Sequence, residues 1–552
     1  MYAGWNLLLV VAVLCGQSVG FFWRFNSFTG VVSTNTPELE EPLDTNKRVA
    51  IIGAGASGSS TAYYLQQFAE LSGISINVTV FERSSYVGGR STTVNAYGNP
   101  LERVELGASI FVDINTILKN SSTKFGLRTK DSETEYDEIL SIWDGEKFVF
   151  TQKDSGWQYW DIAKMLWKYG LAPLRTQRLM KSTVSKFRKL YEAPAFPFKS
   201  LSDRALDLDL TSVTSLTGEQ YLKDNNVGAP FSTDIIQAST RVNYGQNLNT
   251  IHGLEAMVCM AIDGAMQIDG GNWQIFDGML KASNATVHLN STVSSISNHK
   301  GRYSVKSTSD DAITGESYTK ESVFDTIVLA APLQYSGIDI EKGLLQHTPD
   351  EIPYVTLHVT LFTSSRRLDR GFFNLAPDAD IPTSILTTLQ PGQAPSNYTE
   401  GCGKPGFFSI STLRTVINPE TLERENLYKI FSPNALTSEF LGDILGIPIP
   451  ADLSSISPSS GDAITWYYPH IWHSYPYELP RVTFEDSALA RNFYYTSGME
   501  SFISTMETMA LMGMNVAQLV VDDFKEIMAD EELEQVEGVQ KIMVEEIVPD
   551  EL

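Results

Sequence analysis

Cysteine and histidine are scarce in this chain, with three and seven residues respectively among 552. Cys15 sits in the N-terminal apolar run, which leaves Cys259 and Cys402, far apart in sequence. Two such thiols do not make a disulfide framework, so stability has to come from a packed core, and the length is ample for two intertwined domains. No histidines fall in a zinc-ligand spacing, and no catalytic triad or metal cluster can be read from the order of residues. Positive charge is also short. Lys and Arg number 41 against 66 Asp and Glu, a formal net charge of −25, the wrong sign for tracking nucleic-acid phosphates. Internal repeats and long low-complexity linkers are absent from the sequence. The apolar run Leu7–Leu14 is too short to span a bilayer.

The ends of the chain point to the secretory route. Residues 1–20 read as a signal peptide, with small residues at Ser18–Gly20 and no basic stretch before the apolar run; a short uncleaved anchor is the alternative. Sequons occur at Asn77, Asn120, Asn284, Asn290 and Asn397. A lysosomal, vacuolar or secreted location follows, and the terminal Asp-Glu-Leu, preceded by Pro549, half-matches an ER-retention signal. Residues 21–46 read as a mobile arm, and residues 526–552 as an acidic, solvated tail.

The stretch the sequence is organised around runs from Arg48 to Leu65. An apolar run, Val49–Ile52, breaks into Gly53, Gly55 and Gly58, and a helical pattern follows. Strand, tight turn and helix are the context in which Gly-x-Gly-x-x-Gly implies a dinucleotide site. Gly53 permits the turn, Gly55 lets backbone approach a pyrophosphate, and Gly58 lets helix and strand pack closely. A second strand, Val78–Phe81, ends on Glu82, placed to take a ribose hydroxyl. Glu82 to Arg90, with Gly88, Gly89 and Arg90, and then Val104 to Ser109, resemble the extended signature of two-dinucleotide-domain FAD oxidases. In that class, the resemblance implies, Gly89 and Arg90 reach the pyrophosphate of FAD.

Between Lys130 and Arg241 helical periodicity takes over. Pro173 opens a helix with Leu179, Val184, Phe187 and Leu190 on one face and six basic residues on the rest. A core-packed helix with a solvated basic face is the simpler reading; peripheral contact with anionic membrane is the other. Ile327–Ala331 reads as a buried parallel strand, and Tyr354–Leu361 alternates as the start of a second sheet. Trp466–Tyr477 is dense in aromatics, which suits either a core or the lining of a cavity.

The chain at large resembles the prenylcysteine oxidase (prenylcysteine lyase) family. The features that carry the resemblance are the dinucleotide stretch, His252-Gly253, Gly270-Gly271-Asn272, Tyr475-Pro476, Gly498-Met499-Glu500 and Met506-Glu507-Thr508. They span most of residues 47–520, while 370–465 offers no specific motif. The resemblance implies an α/β, two-dinucleotide-domain Rossmann-type fold binding FAD, with an inserted α+β substrate domain. The FAD domain would take 47–125, 240–335 and 480–525, around a helical insertion (126–239) and a substrate domain (336–479). In relatives the residue matching Val293 presents backbone to the adenine; Gly498 belongs to the closing flavin motif, Glu500 matches the position that contacts the ribityl or pyrophosphate region, and Met506 and Glu507 would start a helix aimed at the flavin pyrimidine oxygen. The implied reaction is oxidation of a prenylated thioether to free cysteine and a prenyl aldehyde, with molecular oxygen as acceptor and hydrogen peroxide as product. An FAD oxidase of amines or prenylated metabolites, and an FAD-bearing binding protein without turnover, stay open. His252 is the candidate base, because imidazole titrates near neutral pH.

Overall fold

The computed structural model describes residues 46–130, 139–153, 158–310, 316–393, 401–459 and 461–547. The expected leader, most of the arm, Asn397 and the terminal Asp-Glu-Leu lie outside these residues.

Strand β1 (Lys47–Ile52) is buried from Val49 onward and pairs in parallel on both sides. A strand covered on both faces has to be apolar throughout, which is why it reads as an unbroken run rather than an alternating one. On one side lies β2 (Ile76–Phe81), on the other the strand Thr326–Leu329. The six-stranded sheet runs 488–490, 493–495, 326–329, β1, β2, 286–288; only the outermost pair is antiparallel. Strands from distant parts of the chain therefore interleave. The expected buried strand at Ile327 is at the sheet's centre.

Helix α1 (Ala56–Leu71) leaves β1 through Gly55 and lies against the last helix, here α5 (Met506–Ile547). The crossing is close: a Cβ on Gly513 would stand 2.3 Å from the Ser57 carbonyl oxygen. Ser60 Oγ donates to the Ala510 carbonyl at 2.6 Å across the same contact. The segment after 525, expected as an acidic tail in a frayed helix, continues α5 without a break to Ile547.

The second large sheet has seven strands in the order β4 (Ile464–Pro476), β3 (Tyr354–Ser364), 424–432, 409–417, 384–387, 139–143, 148–153. Its last two strands correct the expectation of a wholly helical insertion at 126–239. Ile139–Trp143 is buried at all five positions and pairs in parallel with 384–387. A short apolar run without alternation does not reveal its state, and here one of its two partners, 384–387, lies far away in sequence while 148–153 returns beside it as a hairpin. Helices do follow. Among them α3 (Ala172–Phe187) buries Met180, Val184 and Phe187 while Arg175, Arg178 and Lys181 stay exposed, the arrangement of a core-packed helix with a solvated basic face. A smaller sheet, 317–324, 302–310, 291–299, 339–340, adjoins the six-stranded one and carries Val293. Among the described residues no helix is long and apolar enough to cross a membrane.

Candidate flavin site and substrate cavity

A cavity of about 650 Å³ runs between the two large sheets. At one end it is walled by the turn after β1. Gly53 holds φ +111°, and a Cβ there would lie 2.7 Å from the Ala330 carbonyl oxygen. Gly58 faces the strand rather than the cavity: its added Cβ would meet the Gly53 carbonyl oxygen at 1.9 Å. Gly55 is the open one. Its nearest neighbour would be Gly89 Cα, at 4.0 Å, and both glycines line the cavity. Backbone thus approaches the cavity from two sides where a dinucleotide's pyrophosphate needs bare amides. Glu82, at the end of β2, is buried on the same wall; its carboxylate accepts the N–H of Ala54 and of Ser84, both at 2.8 Å. Val293 lines the cavity beside it.

Arg90 lies further along and is fixed by Glu500. Two parallel hydrogen bonds, 2.9 and 2.8 Å, join guanidinium to carboxylate. Arg90 also donates to the Ser474 carbonyl on β4, and the Tyr354 hydroxyl of β3 reaches Glu500 at 3.2 Å. The knot ties the glycine loop, strands β3 and β4 of the second sheet and the turn Ser497–Ser501 at the cavity wall. Glu500 is buried, so the bidentate partner is what makes its charge tolerable. The Gly-Gly-Asn motif has a structural role. The Asn272 backbone N–H donates to Glu105 at 2.6 Å and its side-chain amide to the Ala108 carbonyl, holding the loop 107–110 that lines the cavity. Lys429, fully buried, donates to the Glu105 carbonyl and to Ser109 Oγ. Burial pushes the Glu105 carboxyl up to about 7 and the Lys429 amine down to about 8.

The opposite wall is aromatic. β4 contributes His470, Trp472, His473 and Tyr475, so the aromatic-rich segment does line the cavity over these residues. His473 stacks on Tyr335 at 4.4 Å, and Tyr244 meets Tyr475 edge-on at 5.1 Å. Met506, at the start of α5, closes the cavity with Ser504 and Thr505.

Gly58 packs helix against strand, the role expected of it, without lining the cavity; two other expected cofactor contacts stand elsewhere. Gly498 packs on Glu485, 2.8 Å from an added Cβ, and so shapes the turn that presents Glu500. Glu507 accepts the N–H groups of Ile117 and Leu118 at 2.9 and 3.0 Å, stapling helix α2 (Thr116–Lys124) by its N-terminus. Burial pushes its carboxyl up to about 7.

His252 is a correction. It is fully buried, is not among the cavity-lining residues, and caps helix α4 (Gly253–Val258): Nδ1 accepts the Glu255 N–H at 3.1 Å. Nε2 lies 3.6 Å from Glu478, with no hydrogen bond. Burial holds the imidazole down to about 3, so it is neutral at working pH and too weak a base for the role expected of it. Its ordinary titration range and its place in the family-like segment gave it the look of a base; the fold uses it as a cap. Tyr244, Tyr335, Tyr354, Leu357 and Phe431 line or frame the cavity and carried no sequence motif. For Leu357 alone a signal existed, the alternation along β3.

The bare turns, the buried acid at β2 and the anchored Arg90 fit FAD, which these residues would hold. A family model for an NAD(P)-binding Rossmann-like domain matches residues 51–120. Cyclohexylamine oxidase from Brevibacterium oxydans IH-35A superposes with TM-score 0.52 at 15% identity, covering 87% of this chain and 100% of its own. A putrescine oxidase double mutant superposes with TM-score 0.51 at 15% identity, over 86% and 99%. These likenesses show the fold. Farnesylcysteine lyase of Arabidopsis thaliana is 29% identical over 87% of this chain and 89% of its own length. Prenylcysteine oxidase 1 of Homo sapiens is 26% identical over 87% and 90%. The family model described as prenylcysteine lyase matches residues 152–535, which takes in both the aromatic strand and the Glu500 turn, and the chain belongs to the prenylcysteine lyase family.

Proposed function

We propose that the protein is an FAD-dependent oxidase that cleaves the thioether of a prenylated cysteine. The balanced reaction is R–S–CH2–CH=CR2 + O2 + H2O → R–SH + O=CH–CH=CR2 + H2O2. The carbon next to sulfur is the one oxidised, because sulfur and alkene both stabilise the positive charge that develops as a hydride leaves. Bound FAD supplies the two-electron acceptor. The chain's own contribution is positional: the glycine turns and Glu82 hold the dinucleotide, and Arg90 and Glu500 brace the wall beside it. The aromatic strand β4 offers the apolar wall against which the prenyl carbons can be positioned, while the water that the reaction consumes still reaches the oxidised carbon. One observation carries the reading: the dinucleotide cradle and the aromatic wall face each other across one cavity, so an apolar thioether can lie against the flavin.

The test is anaerobic. Farnesylcysteine added to the yellow holoprotein should bleach the flavin, and admitting oxygen should return the colour with cysteine, farnesal and peroxide in equal amounts. Bleaching by simple amines alone would make the protein an amine oxidase; no bleaching by either would make it a carrier. For location we favour the secretory route, since Asn77, Asn120 and Asn284 are exposed. A glycosidase-sensitive mass and a mature N-terminus near Phe21 would support it; Met1 without a glycan shift would refute it.

A further inference from the structure

Beyond Met506 lies a second cavity of about 170 Å³. It meets the main one across Ile110, Asn243, Tyr244, Thr505 and Met506, which line both. Val184 and Phe187 of α3, Phe111, Val258, Ile262 and Ile503 make its walls.

Its polar side chains are turned away from a ligand. Glu507 is taken by the Ile117 and Leu118 N–H groups and by the Tyr191 hydroxyl. Asn115 accepts the Val112 N–H at 2.7 Å, Asn243 donates to the Ser239 carbonyl at 2.9 Å, and Thr508 donates to the Ile503 carbonyl at 2.6 Å. Arg188 stands exposed at the rim. Such a slot offers a guest dispersion contacts and removal from water, and few hydrogen bonds. It is also preformed. Phe111 pairs with Met266 through backbone hydrogen bonds at 3.0 and 2.8 Å, and the Asp113 N–H donates to the Asp263 carbonyl, fixing the lip.

We propose that this slot seats the distal isoprene units of the substrate and sets the chain length accepted; the inference rests on the function proposed above. Size limits the guest. A protein cavity of ~150 Å³ takes a benzene, so this slot holds one or two isoprene units. The first unit then stays in the main cavity at the flavin, and a longer tail emerges at the Arg188 rim.

The experiment uses holoenzyme and S-alkylated cysteines carrying one to four isoprene units. For the native protein, kcat/KM should rise about tenfold or more from one unit to three, as buried hydrocarbon grows, and level off by four. Ala261→Phe with Ala265→Phe fills the slot, and the ratio of kcat/KM for three units over one should fall at least tenfold at unchanged flavin content. Ile262→Trp, at a half-exposed wall position, is the second variant should the first not fold. A flat native series, or variants that lose all lengths in proportion, would overturn the slot. If no thioether is oxidised, the functional reading fails separately. Calorimetric titration of the holoprotein with isoprenoid alcohols of one to three units then decides: affinity should climb with length natively and not in the variants, and equal behaviour would overturn the slot.

Discussion

At the scale of single residues, the glycines of the first turn have different tasks, and substitution should separate them. Gly58→Ala forces a Cβ against the Gly53 carbonyl, where backbone has no room to move. We expect a destabilisation of about 3 kcal/mol, read by denaturant melts, with flavin lost as a consequence. Gly55→Ala meets nothing closer than 4.0 Å within the chain. The apoprotein should therefore keep its melting temperature while flavin content falls tenfold or more. Equal loss of stability in both variants would contradict this division. A second residue-scale prediction concerns the buried group behind Tyr244. Burial raises the Glu255 carboxyl to about 8 and raises Glu478 well above its usual range, while it lowers His252 to about 3. Between pH 4.5 and 8 the folded chain keeps the Glu255 proton that the unfolded chain has released, so stability falls as pH rises through that window. His252 acts the other way: the unfolded imidazole gains a proton below pH 6.5, and stability falls as pH drops toward 3. Glu255→Gln cannot ionise. Its melting temperature should decline less than the native one between pH 5 and 8.5, and parallel curves would refute the assignment.

At the scale of elements, two contacts hold the cavity together. Arg90 joins the glycine loop to β4 and to the Glu500 turn. Arg90→Ala leaves a buried carboxylate without its partner, and breaking such a pair costs ~3 kcal/mol at the low end, appropriate because Arg90 itself is about one-third exposed. Glu500→Gln keeps hydrogen bonding and removes the charge, so it should cost less; thermal melts of both variants check the order. The other contact is the crossing of α1 and α5. Gly513→Val places a branched side chain where 2.3 Å separates an added Cβ from Ser57. The helices must part, and because Ser57 belongs to the flavin cradle, flavin affinity should fall together with stability. A stable variant with normal flavin content would show that the crossing does not govern the site.

At the scale of the whole molecule, the cofactor site is assembled from stretches near residues 53, 82, 90, 293, 330 and 500, all meeting at one cavity. A ligand touching so many separate stretches should stabilise the entire fold by mass action, about 2.7 kcal/mol at a hundredfold excess over Kd. Removing flavin should lower the melting temperature, and FAD should restore it while riboflavin, lacking the pyrophosphate and adenosine, should not. What the sequence determined by itself was whatever depends on neighbours along the chain. The turn at Gly53, the acid ending β2 and the apolar run at Ile327 are local patterns whose physics is settled within a few residues. The pairing of 139–143 with 384–387 and the cavity-wall places of Tyr244 and Tyr335 were not legible, since they depend on partners far away in sequence. His252 shows the limit best. Its chemistry in isolation suited a base, but only tertiary packing decided that it would be buried as a helix cap, where desolvation removes the charge a base has to accept.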